Sequence, residues 1–308
     1  MTQGFDLIGD IHGHADALEN LLRQLGYVER GGVFQHGAGR QVIFLGDFID
    51  GGPQNRRVVN VAKAMVESGH ALAILGNHEY NAICWHTPDP RDPSRPLRKH
   101  SAKNRGQHAA TLAEFADDPE GLAEMIAWFR TLPLYLDLED LRVVHACWHE
   151  PSLAAVRDAL GQAAVMDDDF LAASSDEESP AYEAVETLLK GPEFELPDAL
   201  SFRDKYGHER RKARLRWWRS IAVTLDELVL GPQALYAATA GRPADPGLLL
   251  GYPETAPPVF FGHYWLTGMP TRQQDNVACL DYSVARGGQL VAYRWDGEQR
   301  LARDRFVW

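Results

Sequence analysis

Three apolar runs in this chain end in the same way. Phe5-Asp6-Leu7-Ile8 runs into Gly9-Asp10, Val42-Ile43-Phe44-Leu45 into Gly46-Asp47, and Leu72-Ala73-Ile74-Leu75 into Gly76-Asn77. Each is a short β-type run, then a glycine, then a small oxygen-bearing side chain. Helical stretches lie between them: residues 15–25 place Leu18, Leu21, Leu22 and Leu25 at helical spacing, and 58–66 is similar. Strand–helix–strand alternation predicts an α/β fold. Ligands of open α/β sheets bind beyond the carboxyl ends of strands, which is where Asp10, Asp47 and Asn77 fall.

The remainder divides unevenly. Residues 87–98 are rich in proline and charge and read as a surface loop. Helices are expected over 105–116 and 120–131, strands over 134–138 and 141–146, and further strands at 259–261, 278–282, 290–295 and 305–307, with Gly287-Gly288 as a hairpin signal. The stretch 166–256 is different. Residues 167–198 hold eleven acidic side chains and one lysine, whereas 203–219 hold eight basic and two acidic ones. Leu215, Trp218, Ala222 and Leu225 then fall on one face of a helical pattern. This predicts a discontinuous core, 1–165 and 257–308, carrying a mainly helical insertion or cap at 166–256.

A chain of 308 residues, 45% apolar, is long enough for a substantial core. Its 31 lysines and arginines against 43 acids give a net charge of −12. Stable nucleic-acid binding is not expected of so acidic a chain, because that affinity comes from neutralising phosphates. A small phosphorylated substrate remains compatible, since a local field can oppose the net charge. The opening MTQGFDLIGD lacks the basic and apolar regions of a signal peptide, and no apolar run approaches a membrane span. Cys84, Cys147 and Cys279 are odd in number and widely spaced. A cytoplasmic location, with no membrane partner, is therefore expected.

The chemistry concentrates in a few motifs: Gly9-Asp10-Ile11-His12-Gly13, Gly46-Asp47-Phe48-Ile49-Asp50-Gly51-Gly52, Gly76-Asn77-His78-Glu79, and two histidines that follow strands, His145 and His263. Asp10 and His12, two apart at a strand end, can point the same way. A carboxylate such as Asp47 can bridge two cations, Asn77 offers a neutral oxygen, and His145 and His263 offer imidazole nitrogens. Such a mixed nitrogen and oxygen set suits manganese, iron, zinc or nickel better than calcium or magnesium. The absence of cysteine from the set argues against a structural zinc site.

Taken in order, these motifs resemble the signature of the calcineurin-like metallophosphoesterases, in the branch of the phosphoprotein phosphatases and symmetrical dinucleoside tetraphosphatases. The resemblance implies a four-layer α/β/β/α sandwich. It implies two divalent or trivalent transition-metal ions, manganese first and iron, zinc or nickel as alternatives. Asp10, His12 and Asp47 would hold one ion; Asp47, Asn77, His145 and His263 would hold the other. His78 would protonate the leaving-group oxygen, oriented by Asp50, and a hydroxide bridging the metals would attack phosphorus. The reading placed first is a phosphomonoesterase similar to the serine/threonine phosphoprotein phosphatases. The alternative is a dinucleoside polyphosphate hydrolase or phosphodiesterase, and the third a non-catalytic metal-binding scaffold. The partner is accordingly a phosphorylated small molecule, nucleotide or phosphoprotein.

The chain also departs from the family pattern. Gly51 and Leu75 stand where the phosphoprotein phosphatases have arginines that can grip phosphate. Trp265 stands at the second histidine of the GHxH motif common in the superfamily, and His145-Ala146-Cys147 replaces His-Gly-Gly. Arg203, Lys205, Arg210 and Arg211 of the basic stretch are candidates for the missing positive charge, with Arg56, Arg98, Lys99, His100 and Arg105 as rival donors in the core. Blander readings remain beside these. Asp50 alternatively caps the helix that starts near Pro53, Glu79 reads as a helix-start residue, and Cys147 as an inert buried thiol.

Overall fold

A computed structural model of the protein describes residues 4–161, 166–203 and 209–308. The chain forms two compact units: one runs to Leu189 and resumes at Pro257, the other spans Lys190–Ala256.

The first unit is built on two sheets. One has the strand order Phe306–Val307, Ala292–Trp295, Phe5–Ile8, Gln41–Phe44, Ala71–Ala73, and its last three strands are parallel. The other has the order Val277–Cys279, Val259–Phe261, Leu141–Val144, Tyr135–Leu138, and its first three strands are parallel. Alternation along these strands explains the packing. Leu7 and Ile43 of the first sheet share one buried cluster with Val143, Phe260 and Ala278 of the second, so the sheets pack face to face. Ile8, Val42 and Phe44 are also fully buried and do not belong to that cluster. They fall on the alternate face, the side that helices Ala15–Gln24 and Asn55–Glu67 can cover with Leu18, Leu21, Val58 and Ala62. The result is the α/β sandwich expected from the sequence.

Helices Asp168–Ser174 and Pro180–Lys190 open the stretch that the sequence reading places in the insertion. Up to Leu189 they belong to the first unit. Phe170, Leu171, Val185 and Leu188 are buried there, Tyr80 donates to Ser174 Oγ at 2.7 Å, and Ala146 N donates to the Leu188 carbonyl at 2.9 Å. The acids line their outer faces, where Asp168 and Asp176 pair with Arg130 and Arg91.

The second unit is mixed α/β rather than mainly helical. Its centre is the antiparallel sheet of Glu193–Glu195, Lys212–Leu215 and Val229–Leu230, packed around Leu196, Ala213, Leu225, Val229 and Leu235. The helical pattern expected across 215–225 is overridden by a period of two. Ala213, Leu215 and Trp217 are buried while Lys212, Arg214 and Arg216 are not, which is strand spacing. The proline-rich 87–98 stretch likewise contains a hairpin, Pro88–Asp89 against Asp92–Pro96. No helix among the described residues is long and apolar enough to cross a membrane.

Candidate metal centre

Every expected ligand follows the carboxyl end of a parallel strand. Asp10 and His12 follow Phe5–Ile8, Asp47 follows Gln41–Phe44, and Asn77 opens helix Asn77–His86 after Ala71–Ala73. His145 follows Leu141–Val144 and His263 follows Val259–Phe261. All six side chains are buried. His12 Nε2 lies 4.0 Å from Asp10 Oδ2 and 3.6 Å from Asp47 Oδ2. On the other side of Asp47, Oδ2 lies 3.4 Å from His145 Nε2, which is 3.2 Å from Asn77 Oδ1. Ligand atoms of His12, Asp47 and His78 fall within 4.8 Å of one another, and so do those of Asp47, His145 and His263. Asp47 is common to both groups.

The loops hold one another in place. Ile11 N and His12 N both donate to the Asp47 carbonyl, Gly52 N donates to that of His12, and Gly262 N to that of His145. His12, Asp47, Asp50 and His263 all adopt positive φ, between 45° and 70°. Each such residue costs on the order of 1–3 kcal/mol, which persists only where the surroundings over-determine it. The glycines of the motifs are explained by close approach. A Cβ on Gly76 would collide with Asp47 Oδ1, and one on Gly262 with Asp10 Oδ1.

The electrostatics call for a cation. Burial, together with Asp281 and Asp47, holds the Asp10 carboxyl well above the usual carboxylate range. Burial also disfavours the Asp47 carboxylate, but His145, His78 and His12 outweigh it and keep Asp47 well below that range. His145 is lifted to about 10, against burial, chiefly by Asp47. Asp10 Oδ1 and His12 Nε2 are buried with no hydrogen-bond partner. His145 Nδ1 donates to the Leu45 carbonyl at 2.8 Å and His12 Nδ1 to that of Ile49 at 3.1 Å. Both rings thus have Nδ1 engaged and turn Nε2 toward the centre, the backing that metal-binding histidines need. Divalent ions fit these residues: orphaned oxygen and nitrogen atoms, excess buried carboxylate, and rings whose Nε2 faces the centre.

Asp50 does not cap a helix. Its Oδ2 accepts from His78 Nδ1 at 2.8 Å, and its Oδ1 from His108 Nδ1 at 3.0 Å and Thr111 Oγ1 at 2.5 Å. His108 Nε2 in turn lies 3.3 Å from His86 Nε2. Burial disfavours the His78 cation, yet Asp47 and Asp50 raise it to about 9. Glu79 is more than a helix-start residue. Fully buried, it accepts from the backbone N–H groups of Gly76, Asp47, Phe48 and Ile49, and so fastens the second motif to the third.

Sequence reasoning missed His108, Thr111, Asp281 and Arg286. His108 and Thr111 carry no local signal. Asp281 follows the apolar strand Val277–Cys279 as the expected ligands follow theirs; it accepts from Trp265 N and Ser283 N. Trp265 stacks on His12 with centroids 5.4 Å apart, and the Arg286 guanidinium lies 3.8 Å from the Trp265 centroid. Cys147 is buried, and burial pushes its thiol up.

The expected phosphate-binding cations lie as follows. Arg203 and Arg210 sit on a two-stranded ribbon of the second unit, Arg203 opposite Glu209 and Arg210 opposite Phe202. The Arg211 carbonyl accepts from Leu196 N, and Lys205 lies outside the described residues. Among the core rivals, Arg56 pairs with Asp118, while His100 and Arg105 lie against the Trp85 ring. Arg98 lines a pocket together with His78 and Asp50.

The profile of the calcineurin-like phosphoesterase family matches residues 5–175. The chain is 30% identical over 141 residues to the bis(5'-nucleosyl)-tetraphosphatase PrpE (asymmetrical) of Oceanobacillus iheyensis, covering 46% of this chain and 54% of that one. It is 38% identical over 146 residues to the protein of the same name from Bacillus subtilis, covering 46% and 57%. The matches span about half the length of these curated relatives. Among solved structures, a cold-active protein tyrosine phosphatase superposes with a TM-score of 0.52 at 14% identity, over 97% of this chain and 78% of that one, a likeness of fold. With a family profile covering more than half of its residues, every motif included except the His263 strand end, this chain belongs to the calcineurin-like phosphoesterases.

Proposed function

We propose that this protein hydrolyses phosphoric esters and anhydrides at a two-metal centre, and that its substrate is a dinucleoside polyphosphate. The observation that carries the reaction type is the position of Asp47, a buried carboxylate shared by two groups of ligand atoms. Membership of the family implies divalent metal ions. Asp10, His12 and Asp47 would hold one; Asp47, Asn77, His145 and His263 the other, with manganese as the proposed metal. Bound there, the ions supply the positive charge that activates water and stabilises the charge developing on phosphoryl oxygens.

The chain's own residues do the rest. Asp50 fixes His78 through Nδ1, so Nε2 holds the proton that the departing oxygen takes. His108 and Thr111 hold Asp50 from its other oxygen. The cost of developing charge is met by groups already oriented before substrate arrives.

The substrate class is supported by the names of the relatives, and the phosphoprotein reading loses support from the site itself. Gly51 has φ +118°, and a Cβ there would meet Ala285 and His12 at 3.2 and 3.3 Å. Leu75 is fully buried. Neither position carries an arginine that could grip a phosphate. The test is turnover by manganese-loaded protein of a dinucleoside tetraphosphate, an aryl monoester, a bis-aryl diester and a phosphopeptide. A tetraphosphate kcat/KM at least tenfold above the others is expected. Unequal nucleotide products would match the asymmetrical cleavage in the relatives' name, and two equal products the symmetrical kind. A phosphopeptide that outruns the tetraphosphate overturns the substrate class. No turnover of any substrate with manganese, iron, zinc or nickel overturns the reaction.

A further inference from the structure

Beside His78 the first unit has a small open pocket between helices Asn77–His86 and Ala102–Gln107. Arg98 lines it. One Arg98 Nη1–H donates to Asn81 Oδ1 at 2.7 Å, and Nη2 donates to Gln107 Oε1 at 3.0 Å and Asn104 Oδ1 at 3.2 Å. All three acceptors are neutral amide oxygens. Among the described residues no carboxylate stands within ion-pair distance of this guanidinium.

We propose that this pocket is the leaving-group subsite, and that Arg98 makes it specific for an anionic leaving group, the phosphates of a departing nucleotide.

The proposal rests on the reading of the site given above, in which His78 protonates the leaving oxygen. His78 and Asn81 are three residues apart on one helix and so share a face. Both line the pocket with Asp50 and Arg98. A bond broken beside His78 therefore releases its leaving group towards Arg98. The three amides hold the guanidinium plane without neutralising it. Of its five N–H donors, two are left for a ligand. A carboxylate partner would have cancelled the charge; amides orient it, while Glu186 and Asp50 favour its charged form through space. Burial presses against that charge, and arginine nevertheless keeps its proton. A half-buried guanidinium whose hydrogen-bond partners are neutral amides keeps donors for an anion, and a planar fork suits a phosphate better than an ammonium would.

Arg98 also answers the absence of arginines at positions 51 and 75. Those positions carry no cation here, and Arg98 brings one to the His78 side from elsewhere in the chain. A substrate with an uncharged leaving group gains little from it. A dinucleoside polyphosphate, whose leaving group carries phosphates of its own, gains most.

The experiment uses manganese-loaded full-length protein and compares wild type, Arg98→Gln and Arg98→Lys. Two substrates are followed, a dinucleoside tetraphosphate and 4-nitrophenyl phosphate, and ADP is titrated as an inhibitor of aryl phosphate turnover. Loss of a charge-assisted pair predicts that Arg98→Gln weakens ADP inhibition about tenfold to a hundredfold and raises the tetraphosphate KM by a similar factor. The aryl phosphate kcat/KM falls by a clearly smaller factor than the tetraphosphate kcat/KM. Arg98→Lys restores part of the ADP affinity. An unchanged ADP inhibition constant, or an equal loss on both substrates, overturns the subsite. If wild type does not cleave the tetraphosphate but ADP inhibition still depends on Arg98, the proposed substrate fails and the subsite stands. If wild type cleaves it and ADP inhibition ignores Arg98, the reverse holds.

Discussion

His108 Nδ1 lies 3.0 Å from Asp50 Oδ1, the oxygen opposite the one that meets His78. A single buried carboxylate is thus spanned between two imidazoles, and Thr111 Oγ1 adds a third donor. Removing His108 leaves Asp50 oriented by less. His108→Ala is expected to lower kcat about tenfold on a substrate with a poor alkyl leaving group and much less on an activated aryl phosphate. A uniform loss across leaving groups would mean that His108 acts only on stability. His108→Asn or His108→Gln, which can restore an N–H donor, should recover part of the rate.

The alkaline limb of the pH–rate profile tests the His78–Asp50 pair. Burial favours neutral His78, but Asp47 and Asp50 raise it to about 9. Ions bound at Asp47 cancel that carboxylate's pull and leave Asp50 as the main support. The raised value means that the cation is present below it and is lost as pH rises through it. The limb is expected between the ordinary histidine range near ~6.5 and about 9. Asp50→Asn should move it down. A limb that does not move assigns the titration to another group.

Glu79 accepts four backbone N–H groups from two motifs. In Glu79→Gln an amide nitrogen replaces one oxygen and faces N–H donors that it cannot satisfy. A loss of about 1–3 kcal/mol per stranded pair is expected, read as a lower denaturation midpoint with an unchanged slope. Weaker metal retention should accompany it, because the same bonds seat Asp47.

Gly262→Ala puts a methyl group onto Asp10 Oδ1. The fold has other contacts to rely on, so the expected outcome is a folded protein with reduced metal content and strongly reduced turnover. Circular dichroism and elemental analysis read the two separately. Full metal occupancy in this variant would contradict the placement of Asp10.

Much of this site is legible in the sequence because glycine and ligand are neighbours in the chain. Gly76 precedes Asn77, Gly46 precedes Asp47, and each pair follows an apolar run whose strand direction sets where the side chains gather. The strand-end histidines 145 and 263 follow the same logic. His108, Thr111 and Asp281 escape it, since packing rather than local pattern brings them to the centre. Arg98 was one cation among several near the core, and its three amide partners come from two different helices. The second unit misled for another reason. Its apolar residues at 213, 215 and 217 fit a strand, while a wider window from 215 to 225 fits a helix, and the strand pairing with Glu193–Glu195 decides between them. Proline and charge made 87–98 resemble a solvated loop, although its hairpin ends two residues before Arg98.

The central claim is that Asp47 joins two metal sites. Calorimetric titration of manganese into metal-free protein tests it most directly, with wild type beside Asp47→Asn. Two ions per wild-type chain are predicted, with both sites weakened together in the variant and release of protons on binding, since the imidazoles must ligate in neutral form. One ion per wild-type chain, or an Asp47→Asn variant that still binds two with unchanged affinity, would contradict it.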